Sequence, residues 1–145
     1  MKVEIVRLRD SVILPTYGST SAAGADLYCP EGEGVTVAPH KTVLVKTGVA
    51  LAIPEGYVGL IYARSGIATK RSLAPANKVG VIDSDYRGEI MVALHNHSDE
   101  EQSIEGGERI AQLVITPYLR AEFSLADTLD ETERGAGGFG STGTK

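Results

Sequence analysis

Four charged side chains and a tyrosine crowd into one ten-residue stretch, Gly80-Val81-Ile82-Asp83-Ser84-Asp85-Tyr86-Arg87-Gly88-Glu89. Apolar Val79 to Ile82 lead into it and Gly88 closes it, so the polar run reads as a turn or hairpin tip. Asp83 is the best candidate for chemistry. A carboxylate held beside one water can take its proton as that water attacks an electrophile. Aspartate is a weak base at neutral pH, so its catalysis rests on positioning and charge stabilisation. The flat ring of Tyr86 suits packing under a sugar, close enough that a 2′-hydroxyl would collide with it. The plainer alternative is a solvated loop tip. Asp85 would share a face with Asp83 in a regular strand and could form a metal pair, but a turn breaks that geometry. His95 and His97 are also two apart, yet no further histidine or cysteine stands at ligand spacing.

Other segments carry weaker signals. Arg64-Ser65-Gly66 follows an apolar run and precedes a short helical stretch, which would place N–H groups at a helix start beside a guanidinium suited to phosphate or a carboxylate. Gly107 to Leu113 sets Gln112 on an apolar strand, where its amide can donate to phosphate or satisfy a backbone group. Ala23-Gly24-Ala25-Asp26-Leu27 holds one acid among small residues. Of the last eleven residues, Gly135 to Lys145, five are glycine. Such a segment has high backbone entropy and cannot fold alone. Arg134 and Phe139 set beside its glycines and hydroxyls suit closure over an anion and a base, although an unstructured terminus has the same composition.

The elements that must position these residues are short. β-branched runs recur at Val3 to Arg7, Val35 to Ala38, Thr42 to Val45, Val49 to Ile53, Tyr57 to Tyr62, Ile90 to Leu94, Ser103 to Ile104 and Ile110 to Thr116. Turn residues separate them at close intervals, the pattern of an antiparallel sandwich or barrel. One helix is expected, from Ser65 to about Arg71. The 145 residues suit one domain with an aliphatic core, since Trp is absent and Phe occurs twice. A net charge of -5 disfavours binding to a nucleic-acid backbone. No apolar run of about 18 residues suggests a membrane span, and the start is unlike a signal peptide. A lone cysteine, Cys29, points to an intracellular, cytoplasmic setting, with nucleus or organelle left open.

Taken in order, Ala23 to Leu27, Arg64-Ser65-Gly66, Gly80 to Glu89, Gly107 to Leu113 and Arg134 to Gly143 resemble the five motifs of the trimeric dUTP pyrophosphatases, the dUTPases. The third and fifth are the specific ones, and the likeness covers almost the whole chain. It implies an all-β, jelly-roll-like β-barrel or sandwich of the dUTPase β-clip type, with one short helix. Residues 1–133 would form that domain, and 134–145 a mobile arm closing the active site. It further implies a homotrimer with shared active sites, cleaving dUTP to dUMP and pyrophosphate by water attack at the α-phosphorus. That reaction keeps uracil out of DNA and supplies dUMP for dTMP synthesis.

By the same resemblance Asp83 activates the water and Tyr86 lies under the deoxyribose. Asn77, Val81, Ile82 and Met91 fall where the family forms its uracil hairpin. Backbone groups fitted to O4 and N3–H of uracil would reject cytosine, because a buried polar group left unpaired is costly. Arg64, Ser65, Gly66 and Gln112 match phosphate-binding positions. Arg134, Phe139, Gly140, Ser141 and Thr142 match the closing lid, and Asp26 supports the site indirectly. Mg²⁺ would be held by phosphate oxygens and water rather than by a carboxylate cage. The related dCTP deaminases carry a glutamate on the strand after the third motif, where this chain has Ala93. A nucleotide-sensing trimer without catalysis is the other alternative, one with no need of Asp83 or a lid.

Overall fold

A computed structural model describes residues 1–138, and the last four lid positions named above, Phe139, Gly140, Ser141 and Thr142, lie outside them. In chain order the elements are β1 (Glu4–Arg7), β2 (Thr16–Tyr17), β3 (Ala25–Tyr28), β4 (Val35–Val37), β5 (Thr42–Lys46), β6 (Val49–Ala52), β7 (Tyr57–Tyr62), α1 (Ser65–Arg71), β8 (Leu73–Pro75), β9 (Gly80–Ile82), β10 (Met91–Asn96), β11 (Gln102–Ile104) and β12 (Arg109–Pro117). Every pairing is antiparallel. The largest sheet runs β2-β3-β12-β7-β9, a second runs β5-β10-β8, and two-stranded ribbons join β1 to β6 and β11 to β4.

Leu27, Leu73, Ile90, Leu94, Ile104 and Ile110 fill the space between these sheets with Val37, Val45, Val49 and Val92. The core is aliphatic, as a chain without Trp requires. The fold is all-β and jelly-roll-like, with one short helix. Backbone hydrogen bonds leave the sheets separate rather than closing them into a barrel. The helix spans the stretch read from sequence. Ser65 does not cap it, however: Arg64 holds the cap position in extended backbone, with no side-chain cap bond. No helix among the described residues is long and apolar enough to cross a membrane.

Three strands escaped the sequence reading. β3 is buried on both faces at Ala25, Asp26 and Leu27, so it lacks the alternation that marks a half-exposed strand. β2 is only two residues long. β8 ends in Pro75 and pairs with β10 alone, an edge position where a missing N–H is tolerated.

One polar network fastens the N-terminal segment to the sandwich. Arg9 donates to both oxygens of Glu33, at 2.6 and 2.7 Å, and to Glu89 Oε1 at 2.8 Å. Ser11 Oγ adds a bond to Glu33 at 2.6 Å. The Arg9 and Ser11 donors favour the ionised carboxylate and hold Glu33 down at about 2, against an ordinary 4.5. A carboxyl depressed by folding stabilises the native state above its unfolded pKa, and that contribution drains as pH falls through the folded value. The difference in Tm between the parent and Glu33→Gln is therefore expected to be greatest above pH 4.5 and to close towards pH 2. A difference constant across that range, read by thermal melts, would refute the assignment.

Beyond β12 the chain leaves the sandwich. Tyr118 N–H still reaches Gly56 O at 3.1 Å, but residues 119–133 are exposed throughout. Leu119, Phe123, Leu125 and Leu129 among them are almost wholly uncovered in the single chain.

Candidate active site

Two polar groupings emerge, at opposite ends of β7. The first sits at its C-terminal end. Gln112 on β12 lies opposite Asp26 on β3 to one side and opposite Tyr62 on β7 to the other. Asp26 is buried, and each of its oxygens takes a guanidinium: Arg64 Nε at 2.6 Å on one, Arg109 NH1 at 3.3 Å on the other. Two arginines against one carboxylate leave an excess of positive charge. Gln112 Nε2 donates to Ala63 O at 2.9 Å, so one of its N–H groups satisfies backbone. Gly24 makes room for that amide, because a Cβ there would collide with Gln112 Oε1. Ser65 and Gly66 open α1 on the exposed side, and the helix start has no side-chain cap. The initial N–H groups of a helix have no partner within it. Together these features make an electropositive, donor-rich shelf suited to an anion.

Arg109 belongs to this shelf and was not singled out from sequence. It is exposed at the start of β12, where a register shift between Arg109 and Ala111 interrupts the pairing with β3. Such an irregularity re-aims a side chain. The neighbouring Gly106-Gly107 turn was its only trace in the sequence.

The second grouping begins where β9 ends. β9 pairs with β7 through Ile82–Gly59, Val81–Leu60 and Gly80–Ile61. Asp83 therefore follows at the N-terminal end of β7. Tyr86 N–H closes the turn onto Asp83 O at 3.2 Å. Asp83 and Asp85 are exposed and line one open groove of about 880 Å³ with Val58, Leu60, Arg87 and Arg120. Tyr86 Oη donates to Glu89 O at 3.0 Å, and its ring covers the space a Gly88 side chain would need. The ring is thus oriented by its own loop. Asn77 stands at the hairpin root, its Nδ2 3.1 Å from where a Gly80 Cβ would lie. Val81 is largely exposed, Ile82 half-buried, and Met91 occupies the first position of β10.

Asp83 follows the Ile82–Gly59 pair and so stands level with Val58, whereas Gln112 and Asp26 stand level with Tyr62, four positions on. At about 3.3 Å per residue the shelf and Asp83 stand roughly 13 Å apart along β7. One chain therefore presents its positive shelf and its exposed carboxylate at separate places. Arg134 joins neither grouping: its Nε bonds Gly137 O at 2.8 Å, inside a turn that Gly135 and Thr132 close. His95 lies edge-on to His97, with ring centroids 4.4 Å apart, and its Nδ1 meets Thr42 Oγ1 at 2.9 Å. No group of three or more His, Cys, Asp or Glu able to hold a metal occurs among the described residues.

The dUTPase family model matches residues 10–143 of this sequence. The chain belongs to the dUTPase family. Its relatives include proteins named deoxyuridine 5'-triphosphate nucleotidohydrolase. One, from Hydrogenobaculum sp., is 49% identical over 145 residues and 100% of both chains. Another, from Desulfitobacterium hafniense, is 49% identical, covering 99% of this chain and 95% of the relative. Among solved structures, the Staphylococcus bacteriophage 80alpha dUTPase with dUPNHPP superposes with a TM-score of 0.89 at 31% identity, covering 99% of each chain. A mutant dUTPase from phage phi11 of S. aureus, described as revealing the coordination of a structural Mg(II) ion, gives 0.80 at 27% identity, over 88% of this chain and 98% of that one.

Proposed function

We propose that this dUTPase-family chain hydrolyses dUTP to dUMP and diphosphate, with Asp83 as the water-activating base. The family match over residues 10–143 carries the reading. Support comes from the hairpin chemistry: an exposed carboxylate on a groove, three residues before an aromatic ring of fixed orientation. In the reaction, the water oxygen attacks the α-phosphorus while Asp83 accepts one of its protons. The bond from the α-phosphorus to the bridging oxygen breaks, and diphosphate leaves. Arg64, the Ser65 and Gly66 backbone and Gln112 bind the departing phosphates, with Asp26 keeping Arg64 in place. Asn77, Val81, Ile82 and Met91 frame uracil, and Tyr86 lies under deoxyribose. Arg134, with Phe139, Gly140, Ser141 and Thr142, supplies the lid.

The separation along β7 favours a site shared between copies. A triphosphate whose α-phosphorus meets the Asp83 water does not reach a shelf roughly 13 Å away at the other end of the strand, so the shelf serving one Asp83 comes from another subunit. A homotrimer meets that requirement. It also offers cover for Leu119, Phe123, Leu125 and Leu129, large apolar side chains that the single chain leaves in water. Mg²⁺ fits on the same terms. It retains waters and accepts substrate phosphates as ligands, so it asks for few protein carboxylates. When bound it neutralises charge on the triphosphate. An intracellular setting agrees with the single buried thiol of Cys29.

Diphosphate release from a panel of dUTP, dCTP, dTTP and UTP tests the reading, run on the parent and on Tyr86→Ala. The parent is expected to act on dUTP and to refuse the other three. Tyr86→Ala should gain on UTP relative to dUTP by about 10-fold or more, as pocket packing of this size is worth 1–3 kcal/mol. Equal rates on dCTP and dUTP would overturn the base assignment of the pocket. Unchanged sugar selectivity in Tyr86→Ala would remove the stacking role.

A further inference from the structure

Residues 83–88 have little order of their own. Among the described residues their only backbone hydrogen bond runs from Tyr86 N–H to Asp83 O, and Arg87 adds side-chain bonds to Ser84 O and Tyr86 O. Their shape must therefore come from where the two ends are fixed. The entry is fixed by the register of β9 on β7. The exit is Glu89, and three separate contacts converge there. Its carbonyl takes the Tyr86 hydroxyl at 3.0 Å. Its carboxylate takes the Gly48 N–H at 2.8 Å and Arg9 NH1 at 2.8 Å. The next residue continues the clamp: Ile90 N–H bonds Val49 O at 2.8 Å, and Thr47 Oγ1 donates to Ile90 O at 2.6 Å.

Arg9 is held from the far side. Its fork grips both oxygens of Glu33, a geometry a guanidinium offers and an ammonium does not. It also packs against the Gly48 turn, which sits at φ +75°, with the NH1 atom 3.2 Å from where a Cβ would stand. A continuous path thus runs from Glu33 through Arg9 and Glu89 to the ring of Tyr86. Arg9 lies 80 residues from Glu89 in sequence and belongs to none of the five motifs.

We infer that Arg9 is a positioning residue for the catalytic hairpin, acting through Glu89 to set the Tyr86 ring and, with it, the Asp83 turn. The inference rests on the function proposed above for that hairpin. A bond that merely strapped down the N-terminus would affect stability alone. A positioning bond affects which sugar is accepted and how well the water is placed.

The test uses full-length Arg9→Met and Arg9→Lys, assayed well below their melting temperatures. Misplacing a catalytic group by about 1 Å costs on the order of 10²-fold, so Arg9→Met is expected to lose about 10- to 100-fold in kcat with a smaller change in KM. Its preference for dUTP over UTP should fall as well. Arg9→Lys should lie between, because its ammonium can meet Glu89 but cannot fork onto Glu33. Amide hydrogen exchange without nucleotide should quicken at Tyr86 and at Gly48, whose N–H groups are hydrogen-bonded in the parent, in Arg9→Met. A folded Arg9→Met with parental kcat, selectivity and hairpin exchange overturns the inference. If Arg9→Met does not fold, parental values in Arg9→Lys overturn it instead. Should the parent fail to hydrolyse dUTP, the proposed function falls, and the exchange measurement still decides whether Arg9 orders the hairpin.

Discussion

Replacing Asp83 with Asn is expected to cut kcat for dUTP by about 10² to 10⁴-fold, the range general-base catalysis supplies, while dUTP still binds. The amide keeps the shape of the side chain. It loses the ability to accept a proton, and it presents two donors where the carboxylate presents only acceptors. Asp83 is exposed at the edge of an open groove and makes no ion pair among the described residues, so the substitution breaks no structural bond. Folding should be untouched. Affinity for dUTP, read by equilibrium binding to the slow variant, should change little because the proposed uracil hairpin and phosphate shelf are intact. A parental rate in Asp83→Asn would move the base elsewhere. Asp85 and Glu55 line the same groove and would be next to test. The same substitution at Asp85 is expected to leave most of the turnover, which makes it the natural control.

How far the sequence alone could reach depended on the range of each interaction. α1 was legible to its end residues, because a serine after an apolar strand opens a short stretch with no proline, and no glycine after Gly66. β7 and β12 were legible from their β-branched runs. β3 was not, since Ala-Asp-Leu-Tyr buried on both faces shows no period of two. The same burial hid what Asp26 does. Sequence offered a lone acid among small residues, whereas folding makes it the carboxylate that holds Arg64 and Arg109 together. Arg109 was overlooked because the irregularity that aims it has no side-chain signature. Arg9, Glu33 and Glu89 left no local trace, being joined by contacts 24 and 80 residues apart. The resemblance located the motifs, but it could not tell that the hairpin and the shelf lie at opposite ends of one strand.

That separation makes its own large-effect prediction. In the proposed homotrimer Asp83→Asn should be nearly inactive, and so should Arg64→Ala, which lacks the guanidinium on the proposed phosphate shelf. Arg64→Ala should still fold, because Arg109 continues to pair with the buried Asp26. If one site draws Asp83 from one subunit and Arg64 from another, mixed trimers regain activity. Random reassembly at equal amounts leaves about a quarter of the sites with both residues intact, so activity should climb from near zero to roughly a quarter of the parental value. A site built within one chain behaves differently. Each chain then carries one of the two lesions, and no mixture contains an intact site. Co-refolding the two variants and assaying diphosphate release separates the cases without any structure of the assembly. Persistent inactivity in mixtures shown to have exchanged subunits would place both groups of one site on one chain, in conflict with their separation along β7.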